Sequence, residues 1–227
     1  MKAILLAAGF GKRLMPLTKS KPKCLIKIKG KPILDIWIEK LINSGIKKIL
    51  INLHYKKELV TKHIHKNKYR KNIKLSFENK LLGTARTLIK NYNFYKSSEV
   101  MLIHADNYCL EDLNNFLRAH KKRPPNCLLT MMTFKTDNPK NCGILKLNND
   151  GVVQKIFEKK KNAPGKIANG AVYILSRKLT LLLKNSNYTD FSTEVLPKFL
   201  GKIYTYQTYQ PFLDIGTIKN FKKSQLL

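Results

Sequence analysis

Short apolar runs recur through the first half of the chain, each followed by a segment of helical spacing. This alternation limits the fold more than any other feature of the sequence. Lys2–Ala7 is a continuous apolar run that ends at Gly9, which suits a buried parallel strand. Ile33–Ile42 follows Pro32, spaces Ile33, Ile36, Trp37 and Leu41 at helical intervals, and meets Gly45 as a stop. Lys48–Leu53 reads as a strand, Glu58–His65 as a helix, Ile73–Phe77 as a strand and Thr84–Lys90 as a helix. Val100–His104 is a further strand, running out at Asp106. Repeated strand–helix–strand units predict an α/β fold, a mostly parallel sheet with helices on both faces. Ligands of such sheets bind beyond the carboxyl ends of the strands, so Gly9 and Asp106 are expected to share one crevice.

The second half is richer in strands: Leu128–Phe134, Gly143–Leu147, Val152–Phe157 and Ala168–Leu175. Asn148-Asn149-Asp150-Gly151 is a hairpin turn. Thr193–Phe199 and Ile218–Lys222 read as short helices, and the basic run Lys159–Lys161 before Ala163-Pro164-Gly165 as an exposed loop. With no internal repeat and no linker, residues 1–227 are expected to form a single domain.

The charge balance raises a different class of function. Lys and Arg number 44 against 14 acidic residues, a formal net charge of +30. Nucleic-acid binding is the first hypothesis such a balance brings. Only six of the basic residues are Arg, the side chain that reads base edges and phosphates by its planar fork, and the Lys are spread along the whole chain. The bulk of the charge therefore reads as a solvated surface, with part of it serving a polyphosphate, and no nucleic-acid partner is expected. Cys24, Cys109, Cys127 and Cys142 lack metal-ligand spacing and fit a reduced, cytoplasmic setting. The apolar N-terminal run is too short for a signal peptide, and no run is long enough to span a membrane.

The chemistry concentrates in Leu6-Ala7-Ala8-Gly9-Phe10-Gly11-Lys12-Arg13-Leu14-Met15-Pro16-Leu17-Thr18, followed by Lys21-Pro22-Lys23. A strand runs into a glycine turn and then into cations. Glycines at 9 and 11 let main-chain N–H groups approach phosphate oxygens, and Arg13 and Lys23 add charge beside them. The string is neither a GxxxxGK phosphate loop followed by Ser or Thr nor a GxGxxG dinucleotide fingerprint, since position 14 is Leu.

This string resembles the opening of the sugar-phosphate nucleotidyltransferases, the family of the mannose- and heptose-1-phosphate guanylyltransferases and the glucose-1-phosphate thymidylyl- and uridylyltransferases. The resemblance extends over essentially the whole chain. It implies a Rossmann-like mixed sheet of the nucleotide-diphospho-sugar transferase type. Residues 1–110 would form the nucleotide-binding half and 111–227 the sugar-phosphate half. By motif position, Ala7, Ala8, Gly9, Gly11 and Lys12 would wrap the nucleotide, Arg13 would hold the leaving pyrophosphate and Lys23 the reacting phosphates. Leu81-Leu82-Gly83-Thr84-Ala85 resembles the turn that packs on the nucleobase, through Gly83 and Thr84, with Glu78 at a position that often contacts the base. His104-Ala105-Asp106-Asn107 stands where the family has a Gly-Asp pair, and Phe212-Leu213-Asp214-Ile215-Gly216-Thr217 resembles its C-terminal Trp-x-Asp-x-Gly-Thr element. Asp106 and Asp214 would then hold Mg²⁺, although Asp214 also reads as an N-cap of the final helix. Gly143 of Asn141-Cys142-Gly143-Ile144, Glu158 and Lys159 of Phe157-Glu158-Lys159, and Asn169 of Ala168-Asn169-Gly170-Ala171-Val172-Tyr173 would bind the sugar phosphate. Cys142 replaces the family's Tyr, and the small residues after Asn169 come in swapped order. His54, His63, His65 and His120 read as structural or solvated.

The implied reaction is in-line displacement at the α-phosphorus of a nucleoside triphosphate by a sugar 1-phosphate, releasing pyrophosphate. The attacking phosphate oxygen is already ionised, so no side-chain base is required. The short length and the Leu-Gly-Thr-Ala turn resemble guanylyltransferases acting on mannose- or heptose-type sugars, in precursor synthesis for polysaccharides, as a monomer or homodimer. Uridylyl or thymidylyl transfer, cytidylyl transfer to a phosphocholine-like acceptor, and a basic nucleic-acid-binding protein are the alternatives.

Overall fold

The chain opens with β1 (Lys2–Leu6), the short helix α1 (Leu17–Ser20) and a hairpin of β2 (Lys27–Ile28) and β3 (Lys31–Pro32). Helix α2 (Ile33–Asn43), β4 (Ile49–Leu53), α3 (Lys57–Lys66) and β5 (Ile73–Phe77) follow. Next come α4 (Thr84–Lys90), α5 (Tyr92–Tyr95), β6 (Val100–His104), β7 (Asn107–Cys109) and α6 (Leu113–Lys121). The second half holds β8 (Leu129–Lys135), β9 (Gly143–Leu147), β10 (Val153–Glu158), β11 (Ile167–Leu175), α7 (Arg177–Leu183), β12 (Ile203–Gln207), β13 (Phe212–Asp214) and α8 (Ile218–Leu226). This computed structural model describes residues 1–160 and 162–227; Lys161, in the basic run expected to form a loop, lies outside the described residues.

Among the described residues, nine strands form one mixed sheet in the order β10-β9-β11-β6-β1-β4-β5, with β8 beside β11 and β12 beside β8. The first-half strands β6, β1, β4 and β5 run parallel. β11 pairs antiparallel with β6 and so ties the second half of the chain into the same sheet.

The two-residue period of the strands divides their side chains between two apolar layers. Ala3 and Leu5, Ile49 and Ile51, and Met101 and Ile103 pack on α2, α3 and α6 through Trp37, Leu41, Val60, Ile64 and Phe116. Ile4, Leu50 and Leu102 face the other way, onto Ala85 and Leu88 of α4, Leu179 of α7 and Phe191. Helix α2 holds because Ile33, Leu34, Trp37, Ile38 and Leu41 fall on one buried stripe. Each such side chain contributes roughly 1.5–3 kcal/mol through burial. Its fixed position matters to the site, because Trp37 Nε1 donates to the Asn107 carbonyl at 2.8 Å beside Asp106.

The expected strands and helices form with ends shifted by a residue or so, and α8 runs on to Leu226. β1 stops at Leu6 because the Ala7 N–H leaves the ladder for Asn52 Oδ1, 2.8 Å away. The helix expected over Thr193–Phe199 is a π-turn at Phe191–Val195 followed by a 3₁₀ turn at Leu196–Phe199. His120, read as structural or solvated, is structural: it is buried between Thr130 Oγ1 at 2.7 Å and Glu99 Oε1 at 3.0 Å.

Candidate active site

The same period that sorts the core builds the floor of a cleft. Leu6, Asn52 and His104 stand opposite one another at the carboxyl ends of β1, β4 and β6, two residues beyond Ile4, Leu50 and Leu102. All three line a cavity of about 190 Å³ together with Ala7, Ala8, Gly9, Lys23, Gly83, Thr84, Thr87 and Asp106. The crevice expected from strand ends is therefore formed, and it holds both Gly9 and Asp106. Cys24 also lines it, but burial pushes its thiol up to about 12, so it packs rather than reacts.

The glycine loop is held by its own contacts. Gly11 adopts φ +67, and a Cβ there would stand 2.8 Å from Thr18 Cγ2 and 3.2 Å from Lys23 Cβ. Only glycine lets the loop close onto Lys23 in this way. Thr18 Oγ1 pins the turn by donating to the Gly11 carbonyl at 2.9 Å. Gly9 has open space around it, as a close approach by a ligand requires. Lys12 is exposed, with its ammonium 5.7 Å from the Phe10 ring centre, and stands on the loop's outer side rather than on the cavity wall.

Across the cavity, Gly83 begins α4 at φ +93, and a Cβ there would lie 2.5 Å from the Thr189 carbonyl oxygen. Thr84 Oγ1 accepts the Phe191 N–H at 2.7 Å and donates to Asp190 Oδ2 at 3.3 Å. These contacts fasten the turn to the second half of the chain. Glu78 is 2% exposed and does not reach the cavity wall. Asn52 and Thr87 stand between it and the open space; neither was singled out from sequence, although Asn52 is the one polar residue within Ile49-Leu50-Ile51-Asn52-Leu53.

Asp106 follows β6, and Asp214 ends β13. The antiparallel pairing of β13 with β7 sets Asp214 opposite Asn107, and the Ile215 N–H donates to the Asp106 carbonyl at 3.1 Å. The two carboxylates converge on one ammonium: Lys23 Nζ donates to Asp106 Oδ2 and lies 3.4 Å from Asp214 Oδ1. Arg13 Nη2 stands 3.7 Å from the other Asp214 oxygen. The Gly216 N–H donates to Asp214 Oδ1 at 2.7 Å, and a side chain at Gly216 would strike both Arg13 and Asp214. The N-cap of α8 is Thr217, which frees Asp214 from that role. Desolvation pushes the Asp106 carboxyl up, but the Lys23 ammonium, His104 and a main-chain hydrogen bond together hold it below its ordinary value.

A cation already fits between these carboxylates, since the Lys23 ammonium stands there. Among the described residues, no cluster of three or more metal-ligating side chains gathers. Two carboxylates with the remaining positions left to phosphate oxygens and water is a donor set that suits Mg²⁺.

The expected sugar-phosphate residues form a second group. Gly143 of β9 pairs with Glu158 of β10, and a Cβ at Gly143 would stand 2.7 Å from Glu158 Oε2 and 3.7 Å from Asn169 Cβ. Asn169 Oδ1 accepts the Ala171 N–H at 2.8 Å. Lys159 Nζ lies 3.7 Å from Glu158 Oε1 and is largely exposed.

The nucleotidyl transferase family matches residues 2–226. The chain is 28% identical over 232 residues to mannose-1-phosphate guanyltransferase 2 of Candida glabrata and 27% identical over 238 residues to mannose-1-phosphate guanyltransferase of Saccharomyces cerevisiae. These matches cover 97% and 100% of the chain but only 63% and 64% of those relatives. The crystal structure of HddC from Yersinia pseudotuberculosis complexed with GMP-PN superposes with a TM-score of 0.82 at 27% identity, covering 99% of this chain and 98% of that one. With its strand-end carboxylates, its glycine loop and a match from one end to the other, the chain belongs to the nucleotidyl transferase family.

Proposed function

We propose that this chain transfers a nucleotidyl group from GTP to a sugar 1-phosphate of the mannose or heptose type, releasing pyrophosphate. The observation that carries the reading is the meeting of Lys23, Asp106 and Asp214 at the edge of the glycine-loop cavity. Two polyanions must be brought together there, and the side chains present are those that do so. The loop from Ala8 to Gly11 would take the triphosphate on its main-chain N–H groups, the Ala7 N–H being held by Asn52 Oδ1. Lys23 would move from the carboxylates onto the α-phosphate, and Arg13 would hold the departing pyrophosphate. Asp106 and Asp214 would hold Mg²⁺, which would neutralise charge on the α-phosphate. Glu158 and Asn169 would bind sugar hydroxyls, and Lys159 the sugar phosphate. Guanine is favoured by the relatives named mannose-1-phosphate guanyltransferase and by the HddC complex with GMP-PN.

The test is pyrophosphate release from GTP, UTP, dTTP, CTP and ATP with magnesium. Each is crossed with mannose, heptose, glucose and N-acetylglucosamine 1-phosphates and with phosphocholine. Release with GTP and a mannose- or heptose-type phosphate is the expected result. Turnover on phosphocholine alone would replace this reading with cytidylyl transfer.

A further inference from the structure

We propose that Phe10 is a latch: its ring, seated on His54 and Tyr55, holds the glycine loop in place and sets the loop's N–H groups for the distal phosphates of the triphosphate, given the reading of the cavity as a nucleotide site.

Little else holds the loop. Ala7–Gly11 has no regular secondary structure. At one end the Ala7 N–H is taken by Asn52 Oδ1; at the other the Gly11 carbonyl accepts from Thr18 Oγ1 and the Leu14 N–H. Between these ends, among the described residues, the N–H groups of Ala8, Gly9, Phe10 and Gly11 meet no acceptor of the protein. They are free for phosphate oxygens, and the stretch has no hydrogen bond of its own to fix it. Ala8 and Gly9 carry nothing beyond a Cβ. Phe10 stands between two glycines, one with open space around it and one at φ +67. Its ring is the one side chain of Ala8–Gly11 that reaches across to another part of the chain.

The seat is rigid. The Phe10 ring is 40% exposed, yet its centre lies 5.4 Å from that of His54, edge to face, and 5.6 Å from that of Tyr55. These separations suit aromatic attraction. Both partners follow β4 directly and are themselves tied down. A carbonyl has no hydrogen to give, so His54 Nδ1 donates to the Glu78 carbonyl at 2.9 Å. The Glu78 N–H in turn donates to the Leu53 carbonyl at 2.9 Å. The Tyr55 hydroxyl donates to the carbonyl of Thr18 at 3.2 Å, and Thr18 is the residue that pins Gly11. His54 and Tyr55 do not line the cavity, so they act on a nucleotide there only through the loop. With the ring unseated, the loop swings about its two glycines, and affinity falls with the fraction of time it spends in place.

Calorimetric binding of GTP and of GMP to the unmodified protein, Phe10→Ala, Phe10→Tyr, His54→Ala and the Phe10→Ala/His54→Ala double variant tests this. GTP is expected to bind Phe10→Ala on the order of tenfold more weakly, the worth of such aromatic contacts. GMP lacks the two phosphates that the loop would hold, so its affinity should stand. Phe10→Tyr restores a ring and should recover most of the lost GTP affinity. The double variant should bind GTP no more weakly than Phe10→Ala alone, because His54 then has no ring left to hold. Unchanged GTP binding in Phe10→Ala, no recovery in Phe10→Tyr, or additive losses in the double variant overturns the latch. Equal weakening of GTP and GMP, as a general defect of the fold would give, also overturns it. These results leave the nucleotide reading standing, whereas binding of neither nucleotide by the unmodified protein removes that reading and the latch together.

Discussion

Replacing Lys23 by Met should move two observables in opposite directions. The Lys23 side chain is 11% exposed and is shared by Asp106, which it contacts, and Asp214, 3.4 Å away. Two unit charges about 4 Å apart attract by about 4 kcal/mol at an effective permittivity of about 20. The carboxylates are 33% and 45% exposed, so solvent screening reduces each attraction to about 1 kcal/mol. Deleting the ammonium leaves the two carboxylates facing one another and removes their competing cation. Affinity of the nucleotide-free protein for a divalent ion should then rise by about 2 kcal/mol, roughly thirtyfold. Turnover should fall by about 10²–10³, because no ammonium is left to stabilise charge on the α-phosphate. Mn²⁺ titration followed by electron paramagnetic resonance reads the first quantity, and pyrophosphate release the second. Unchanged metal affinity would show that Lys23 does not stand in the cation's place, and unchanged turnover would remove it from the reacting phosphates.

Three further outcomes are expected. Gly83→Ala places a methyl 2.5 Å from the Thr189 carbonyl at φ +93 and should destabilise the fold by about 1–3 kcal/mol, read as a lower midpoint in urea. Gly143→Ala is crowded by the far end of the Glu158 side chain at 2.7 Å and meets Asn169 Cβ at an ordinary 3.7 Å, so KM for the sugar phosphate should rise about tenfold while the urea midpoint barely moves. Hydrogen bonding to His120, opposed by burial and helped by Arg123, holds the Glu99 carboxyl below its ordinary value of 4.5. The unfolded chain therefore binds the proton more tightly. The contribution of Glu99 to stability is full above that ordinary value and is lost as pH falls through the lowered one; Glu99→Gln should flatten the acid limb of the stability profile.

The sequence made the first half of the fold legible because buried parallel strands are short apolar runs with helical spacing between them. Helix α6 escaped, although Asp112 caps it and Leu113, Phe116 and His120 share its buried face, because Asn114 and Asn115 weaken its propensity. Helix α7 escaped because its run of leucines has no clear period, although Ser176 caps it. β12 escaped as well, although Ile203, Thr205 and Gln207 alternate with tyrosines along it. The carboxylates and the loop were found from motif order. Their convergence on Lys23 was not, because it depends on the pairing of β13 with β7, elements three residues long that carry no periodic signal. Glu78 was named as a base contact, yet it stands one layer back, behind Asn52 and Thr87, a depth that spacing along the chain does not encode.

Following the α-phosphorus of GTP tests nucleotidyl transfer to a sugar phosphate most directly. GTP labelled at that position is incubated with mannose 1-phosphate or a heptose 1-phosphate, magnesium and the protein, and the products are separated. Label is expected in a guanosine diphosphate sugar, formed in step with unlabelled pyrophosphate and abolished in Asp106→Asn and Asp214→Asn. Label in guanosine monophosphate or guanosine diphosphate, with none in a guanosine diphosphate sugar, would contradict it.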